Sequence, residues 1–211
     1  MKKILIIILA VFLYAQKTDV ISLLQNRYDK IKDFKTEFVQ SYYAANGTLL
    51  MESTGMLYFK KKGMFRWDYE TPKKKEFIIK GNSLWVLLKD DGIVYVDDDF
   101  KSSQIKLVLL FLYGEGSIER EFNIDKVDEE TEFFRILLVP REESQQISRL
   151  IIHMRKKTYN VEKIEITDKT GNRNVFHFRN LDFDTGIKDS FFSLKIPDGV
   201  EVSPLPKDMF R

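Results

Sequence analysis

The feature that most constrains this chain is a β rhythm running from Phe34 to Phe183. Phe34, Thr36, Phe38, Gln40 and Tyr42 fall on one side of an extended run, and Lys35, Glu37, Val39, Ser41 and Tyr43 fall on the other. That is the two-residue period of a strand with one buried face. Asn46-Gly47 then marks a tight hairpin. Further strand-like runs follow at Thr48–Met51, Met56–Phe59, Met64–Tyr69, Glu76–Lys80, Ser83–Leu88 and Ile93–Val96, and again at Glu121–Lys126, Phe133–Val139, Ile147–Met154, Val161–Thr167 and Asn174–Phe183. Turn chemistry separates them: Lys62-Gly63, Thr71-Pro72, Gly81-Asn82, Asp91-Gly92 and Thr170-Gly171-Asn172. Roughly ten short strands without intervening βαβ units leave a barrel, a sandwich or one strongly curved antiparallel sheet.

Two segments break this rhythm. From Asp19 to Asp33 the apolar residues Val20, Leu23, Leu24, Tyr28 and Ile31 recur at three- and four-residue steps, the pattern of an amphipathic helix whose stripe must lie on something. From Ser103 to Tyr113 the chain carries Ile105, Leu107, Val108, Leu109, Leu110, Phe111 and Leu112, and then Gly114 and Gly116. This predicts a short helix, ended by glycine and apolar nearly all round. Either it packs into the core, or it is a lid whose inner side meets a removable ligand.

The N-terminus has Lys2 and Lys3, an apolar run from Ile4 to Leu13, and Tyr14-Ala15 before polar residues. That is the layout of a secretory signal, and the run is shorter than the roughly 20 apolar residues of a membrane span. The expected division is a signal peptide over residues 1–15 and a single domain over 16–211. Removing Lys2 and Lys3 from 34 basic residues leaves 32, which match the 32 acidic ones. A net charge near zero argues against nucleic acid as a partner. With no cysteine in the chain, a disulfide framework, an iron–sulfur cluster and a thiol nucleophile are excluded, and so is diacylation of the mature chain itself.

The ordered set Gly55-Met56-Leu57-Tyr58-Phe59-Lys60, Met64-Phe65-Arg66-Trp67-Asp68-Tyr69 and Pro72, then Gly81-Asn82-Ser83-Leu84-Trp85-Val86, resembles the N-terminal strands of the outer-membrane lipoprotein carrier family, the LolA proteins. Asn174-Val175-Phe176-His177-Phe178, Phe191-Phe192-Ser193-Leu194 and Pro197-Asp198-Gly199-Val200-Glu201-Val202 continue the match to the end. The resemblance implies an incomplete antiparallel β-barrel, a strongly curved sheet with helices forming a lid over a hydrophobic cavity. It implies a monomeric periplasmic chaperone without cofactor or catalytic group. The cargo would be acylated lipoproteins, the donor an inner-membrane ABC transporter, and the destination an acceptor in the outer membrane or the membrane itself. A lipoprotein-sensing regulator of envelope stress is the alternative on the same fold.

The acyl-chain cavity is expected to involve Phe65, Trp67, Trp85, Leu109 and Leu112, with Phe65 near its mouth. An ordinary aromatic core stripe also accounts for Trp67 and Trp85. The family has a lid-closing arginine where Lys61-Lys62 stands here, so Lys61 or Arg66 would serve as latch or docking residue. Lys60–Lys62 and Lys73–Lys75 flank Phe65–Tyr69 and are read as loop tips of one hairpin, placed for solubility or for docking. His153 and His177 lack metal-spacing partners, and no HExxH pair, GxSxG elbow or phosphate-binding glycine loop is present.

Overall fold

The computed structural model describes residues 19–100, 117–142, 147–196 and 199–206. After helix α1 (19–28) come β1 (Asp33–Tyr43), β2 (Leu49–Lys60), β3 (Met64–Thr71), β4 (Lys75–Lys80), β5 (Ser83–Leu88) and β6 (Ile93–Asp97). A short helix α2 (Ser117–Glu121) precedes β7 (Phe122–Glu129), β8 (Phe133–Pro140), β9 (Ile147–Arg155), β10 (Val161–Asp168) and β11 (Arg173–Phe183). A 3-10 turn at Asp189–Phe192 and β12 (Glu201–Pro204) follow.

All twelve strands form one sheet in the order β12-β6-β5-β4-β3-β2-β1-β11-β10-β9-β8-β7. Apart from β12, it consists of two antiparallel meanders joined where β1 pairs with β11, Phe38 opposite Phe178. The sheet is strongly curved and does not close. Its concave face carries α1: Val20, Ile21, Leu24, Tyr28 and Ile31 join side chains of both meanders, from Phe34 and Phe65 to Ile164 and Phe176, in one buried cluster. Burying a helical stripe against two sheet halves at once is what makes a curved sheet the favourable choice here.

Three expectations about elements are corrected. The helix ends at residue 28 and not at Asp33. The Asp33 carboxylate accepts hydrogen bonds from the Thr185 N–H at 2.7 Å, the Thr185 hydroxyl at 2.9 Å and the Gly186 N–H at 3.1 Å, which holds this residue in β1 beside the chain leaving β11. The runs Thr48–Met51 and Met56–Phe59 are one strand. Its polar middle is legible only in context: a Cβ on Gly55 would lie 2.0 Å from the Asp68 carbonyl oxygen and 3.0 Å from the Phe38 ring, so glycine here permits strand approach and does not end the strand. Finally, β12 was not expected, and it lies parallel to β6, Glu201 opposite Ile93. Four residues, three of them exposed, give no periodic signal.

Candidate functional site

Strand alternation sorts the side chains of β1–β5 by face. On the helix-bearing face Phe34 stands opposite Phe59, Phe59 opposite Phe65, Phe65 opposite Ile79 and Ile79 opposite Leu84; one pleat along, Leu57, Trp67, Phe77 and Val86 form a second row. The aromatic rings make a continuous path, with centroids 5.3 Å apart for Phe34–Phe59, 5.0 Å for Phe59–Phe65 and 6.4 Å for Phe65–Trp67. A second path runs from Phe38 to Tyr69 at 5.0 Å and from Tyr69 to Phe77 at 5.5 Å. Such a surface offers area and dispersion and little direction, which suits hydrocarbon. The Trp67 indole N–H is buried there without a hydrogen-bond partner.

Polar groups gather at the margin of this face. The Tyr69 hydroxyl donates to the Gln40 carbonyl oxygen at 2.8 Å, and the Gln40 amide donates to Asn174 at 2.9 Å. Burial pushes the Tyr69 phenol up and the Lys75 ammonium down; that ammonium sits 4.4 Å above the Tyr69 ring. Helix α1 is tied to its surroundings by polar contacts near its C-terminal end. The Val161 N–H donates to the Tyr28 hydroxyl at 2.9 Å, Arg27 donates to Asn160 at 3.1 Å and lies 4.3 Å over the Phe183 ring, and the Lys61 ammonium donates to the Asp29 carbonyl just past the helix end. A cation on the last carbonyls of a helix is favourable on both hydrogen-bonding and dipole grounds.

The opposite, convex face is charged. Arg66 holds Asp68 through Nε at 2.8 Å and Glu76 through Nη2 at 3.0 Å, with Lys89 on the other side of Glu76. Burial pushes the Asp68 carboxyl up despite the guanidinium. On β9–β11, His153 meets Glu165 at 2.8 Å and Lys163 meets the same carboxylate at 2.8 Å. His177, across from Lys163, titrates below its ordinary value because of burial and then of that lysine. Among the described residues no group of three or more histidines and carboxylates is placed to hold a metal ion.

The model of the outer membrane lipoprotein carrier protein LolA family matches residues 29–195. This chain belongs to the LolA family. An outer-membrane lipoprotein carrier protein of Methylococcus capsulatus is 25% identical over 189 residues, covering 86% of each chain, and one of Shewanella amazonensis is 24% identical over 205 residues, covering 95% of this chain and 96% of that one. A conserved protein of Thermus thermophilus superposes with a TM-score of 0.56 at 10% identity, over 89% of this chain and 98% of its own. MucB superposes at 0.52 and 13% identity, over 86% of this chain and 63% of its own. At such identities these two structures speak for the fold alone. LolA is a family of carriers and not of enzymes.

The LolA fold brings Phe65 and Trp67 together on the helix-bearing face and separates Trp85 from them. Trp85 stands opposite Ile78, and Ile78 opposite Arg66, so the two-residue period turns Trp85 to the convex side, where it packs on Met64, Ile78 and Phe192. Phe65 is 0% exposed, so it is not a mouth residue. Leu109 and Leu112 lie outside the described residues. Of the two latch candidates, Lys61 touches the chain leaving α1, whereas Arg66 faces away from the helix. Its Nη1 donates to the Phe191 carbonyl at 3.2 Å, and its guanidinium lies 4.7 Å over the Phe191 ring, so it fastens the C-terminal segment to the convex face. Lys60–Lys62 and Lys73–Lys75 lie at the β2–β3 and β3–β4 junctions, at opposite ends of β3, and are not tips of one hairpin. Phe34, Phe38 and Phe59 escaped the expected site, although their alternating aromatics carried the signal.

Proposed function

We propose that this chain, freed of residues 1–15 as a signal peptide and folded as one domain over 16–211, is a periplasmic carrier. It accepts lipoproteins by their acyl chains from an inner-membrane ABC transporter and releases them at the outer membrane or to an acceptor there. The observation that carries this reading is the aromatic, helix-bearing face in a member of a lipoprotein carrier family. Each exposed methylene costs about 0.8 kcal/mol, so acyl chains cross water only when covered. Phe34, Phe59, Phe65 and Trp67 supply such cover, and the charged group of Lys75 on the same face lies at its margin, over the Tyr69 ring. Among the described residues no helix is long and apolar enough to cross a membrane.

Helix α1 occupies the same face that the acyl chains would use. Its Val20, Ile21 and Leu24 side chains are replaceable by hydrocarbon at little net cost, and its polar ties through Lys61, Arg27 and Tyr28 amount to about 1 kcal/mol apiece. A lid held this way opens when cargo takes over its apolar contacts, and Lys61 is the latch. Purified protein incubated with a fluorescent diacylated lipopeptide should take it up, lose it to acylated lipoprotein, and keep it against the unacylated form. Equal competition by both forms would move binding to a protein surface. A lipoprotein-sensing regulator on the same fold would take up the lipopeptide but fail to deliver it to acceptor membranes.

A further inference from the structure

A buried donor without an acceptor is costly, because the hydrogen bond it made to water in the unfolded chain is lost without replacement. Trp67 is in that position. The residue is 4% exposed, and its indole N–H has no partner among the described residues. Across the sheet it faces Leu57 and Phe77, and the Phe65 ring stacks on it along the strand, and none of these three side chains carries an acceptor. The other aromatic residues with polar tips buried on this face are provided for: the Tyr28 hydroxyl receives the Val161 N–H and the Tyr69 hydroxyl reaches Gln40. A phenylalanine would fill the same row without the penalty. The indole therefore introduces one directional donor into a surface of otherwise undirected contacts.

Resting on the carrier reading above, we infer that the Trp67 N–H receives an ester or amide carbonyl oxygen of a bound fatty acyl group. The chemistry follows from the surroundings. A ligand that fits among Leu57, Phe65 and Phe77 must be hydrocarbon over most of its length, and to satisfy the indole it must carry an uncharged oxygen acceptor at one end. An acyl carbonyl is that group, and an ether-linked chain has no oxygen at the carbonyl position. The contact fixes how deep the chains enter, since the carbonyl must stop at Trp67 while the methylenes run on beneath α1.

The test uses the full mature protein and three probes: a lipopeptide with two ester-linked palmitoyl chains, its ether-linked twin, and dipalmitoyl phosphatidylethanolamine. The wild type should bind the ester probe roughly tenfold more tightly than the ether probe, the size of one net hydrogen bond in an apolar site. Trp67→Phe should abolish that preference, weakening ester binding roughly tenfold more than ether binding. Persistence of the preference in Trp67→Phe, or an equal loss of both probes, would overturn the assignment, the second outcome reducing Trp67 to packing. If the variant does not fold, the wild type decides: the Trp67 indole proton resonance should move downfield with the ester probe and not with the ether probe, with Trp85 as an unmoved internal reference. Movement with both probes, or with neither although both bind, would also overturn it. Competition by the phospholipid separates the sources, since it shows whether the site accepts acyl carbonyls of any diacyl lipid or those of lipoprotein alone; either result keeps the carbonyl contact. A wild type that binds no probe at all removes the carrier reading, and this inference with it.

Discussion

The two faces of one sheet behave as different materials. On the concave face, Phe34, Phe59, Phe65 and Trp67 pack under α1, and the one polar atom among these four side chains is unsatisfied. On the convex face, the same strands present Arg66, Asp68 and Glu76 in a network in which every charge has a partner. A stable apolar core normally buries no unpaired donor, and a charged face normally has no need to bind hydrocarbon. The contrast teaches that polar satisfaction here is directed outward, toward holding the fold, while the inner face leaves its one indole N–H without a partner among the described residues.

The contrast can be broken by moving a charge from one face to the other. Phe65→Glu places a carboxylate where exposure is zero, at a cost on the order of several kcal/mol, comparable with the whole 5–15 kcal/mol of a typical domain. The variant is expected not to accumulate as folded protein. Val39→Glu, on the convex face opposite His177, should cost less than about 1 kcal/mol. Denaturant midpoints for the two variants, read with the slope as a check on the cooperative transition, measure the difference directly. Equal midpoints would mean that the faces are not distinct.

Next in size is Arg66→Ala, which leaves the buried Glu76 with Lys89 alone and frees the carbonyl of Phe191. A loss of about 2–4 kcal/mol is expected, with Arg66→Lys restoring less than half, because an ammonium cannot hold Asp68, Glu76 and Phe191 in one plane. Limited proteolysis should then cut between 187 and 194, where Phe192 otherwise lies fully buried against Ile78. An unchanged cutting pattern would show that the C-terminal segment is held by its aromatic residues without Arg66.

The smallest effect belongs to the ion pairs on β9 and β10. The hydrogen bond from His153, followed by Lys163, pulls the Glu165 carboxyl down to about 2 from an ordinary 4.5. The native state keeps this group ionised where the unfolded chain would protonate it. Its stabilisation is therefore complete above about pH 4.5 and disappears as pH falls through about 2. Carbon-detected titration of Glu165 should show a midpoint near 2 in the wild type and a higher one in His153→Ala. A midpoint that stays near 2 without His153 would assign the shift to Lys163.

Much of this fold was written in local patterns. Alternation in Phe34–Tyr43 and the turn pairs Lys62-Gly63 and Gly81-Asn82 located the strands, and the three- and four-residue spacing of Val20, Leu24 and Tyr28 located α1. What was not legible depended on pairing across the sheet. Trp67 alternates with the charged Arg66 and Asp68, but Trp85 lies between Leu84 and Val86, where its own strand does not show its face, and only the register Arg66–Ile78–Trp85 turns it away from Trp67. The runs Thr48–Met51 and Met56–Phe59 join into one strand only when the Asp68 carbonyl is placed beside Gly55. Lys61 and Arg66 are five residues apart and serve opposite faces, because one lies in a turn and the other in a strand.

The chain has two tryptophans, one on each face, and this gives the most direct test of the account. In Trp85→Phe the remaining Trp67 reports on the helix-bearing face, and in Trp67→Phe the remaining Trp85 reports on the convex face. A diacylated lipopeptide carrying a nitroxide part-way along one acyl chain should quench the fluorescence of Trp67 strongly and that of Trp85 weakly, with saturation at the same concentration that displaces unlabelled lipopeptide. Stronger quenching of Trp85, or none of Trp67 at saturation, would contradict the claim that acyl chains lie between α1 and the concave sheet.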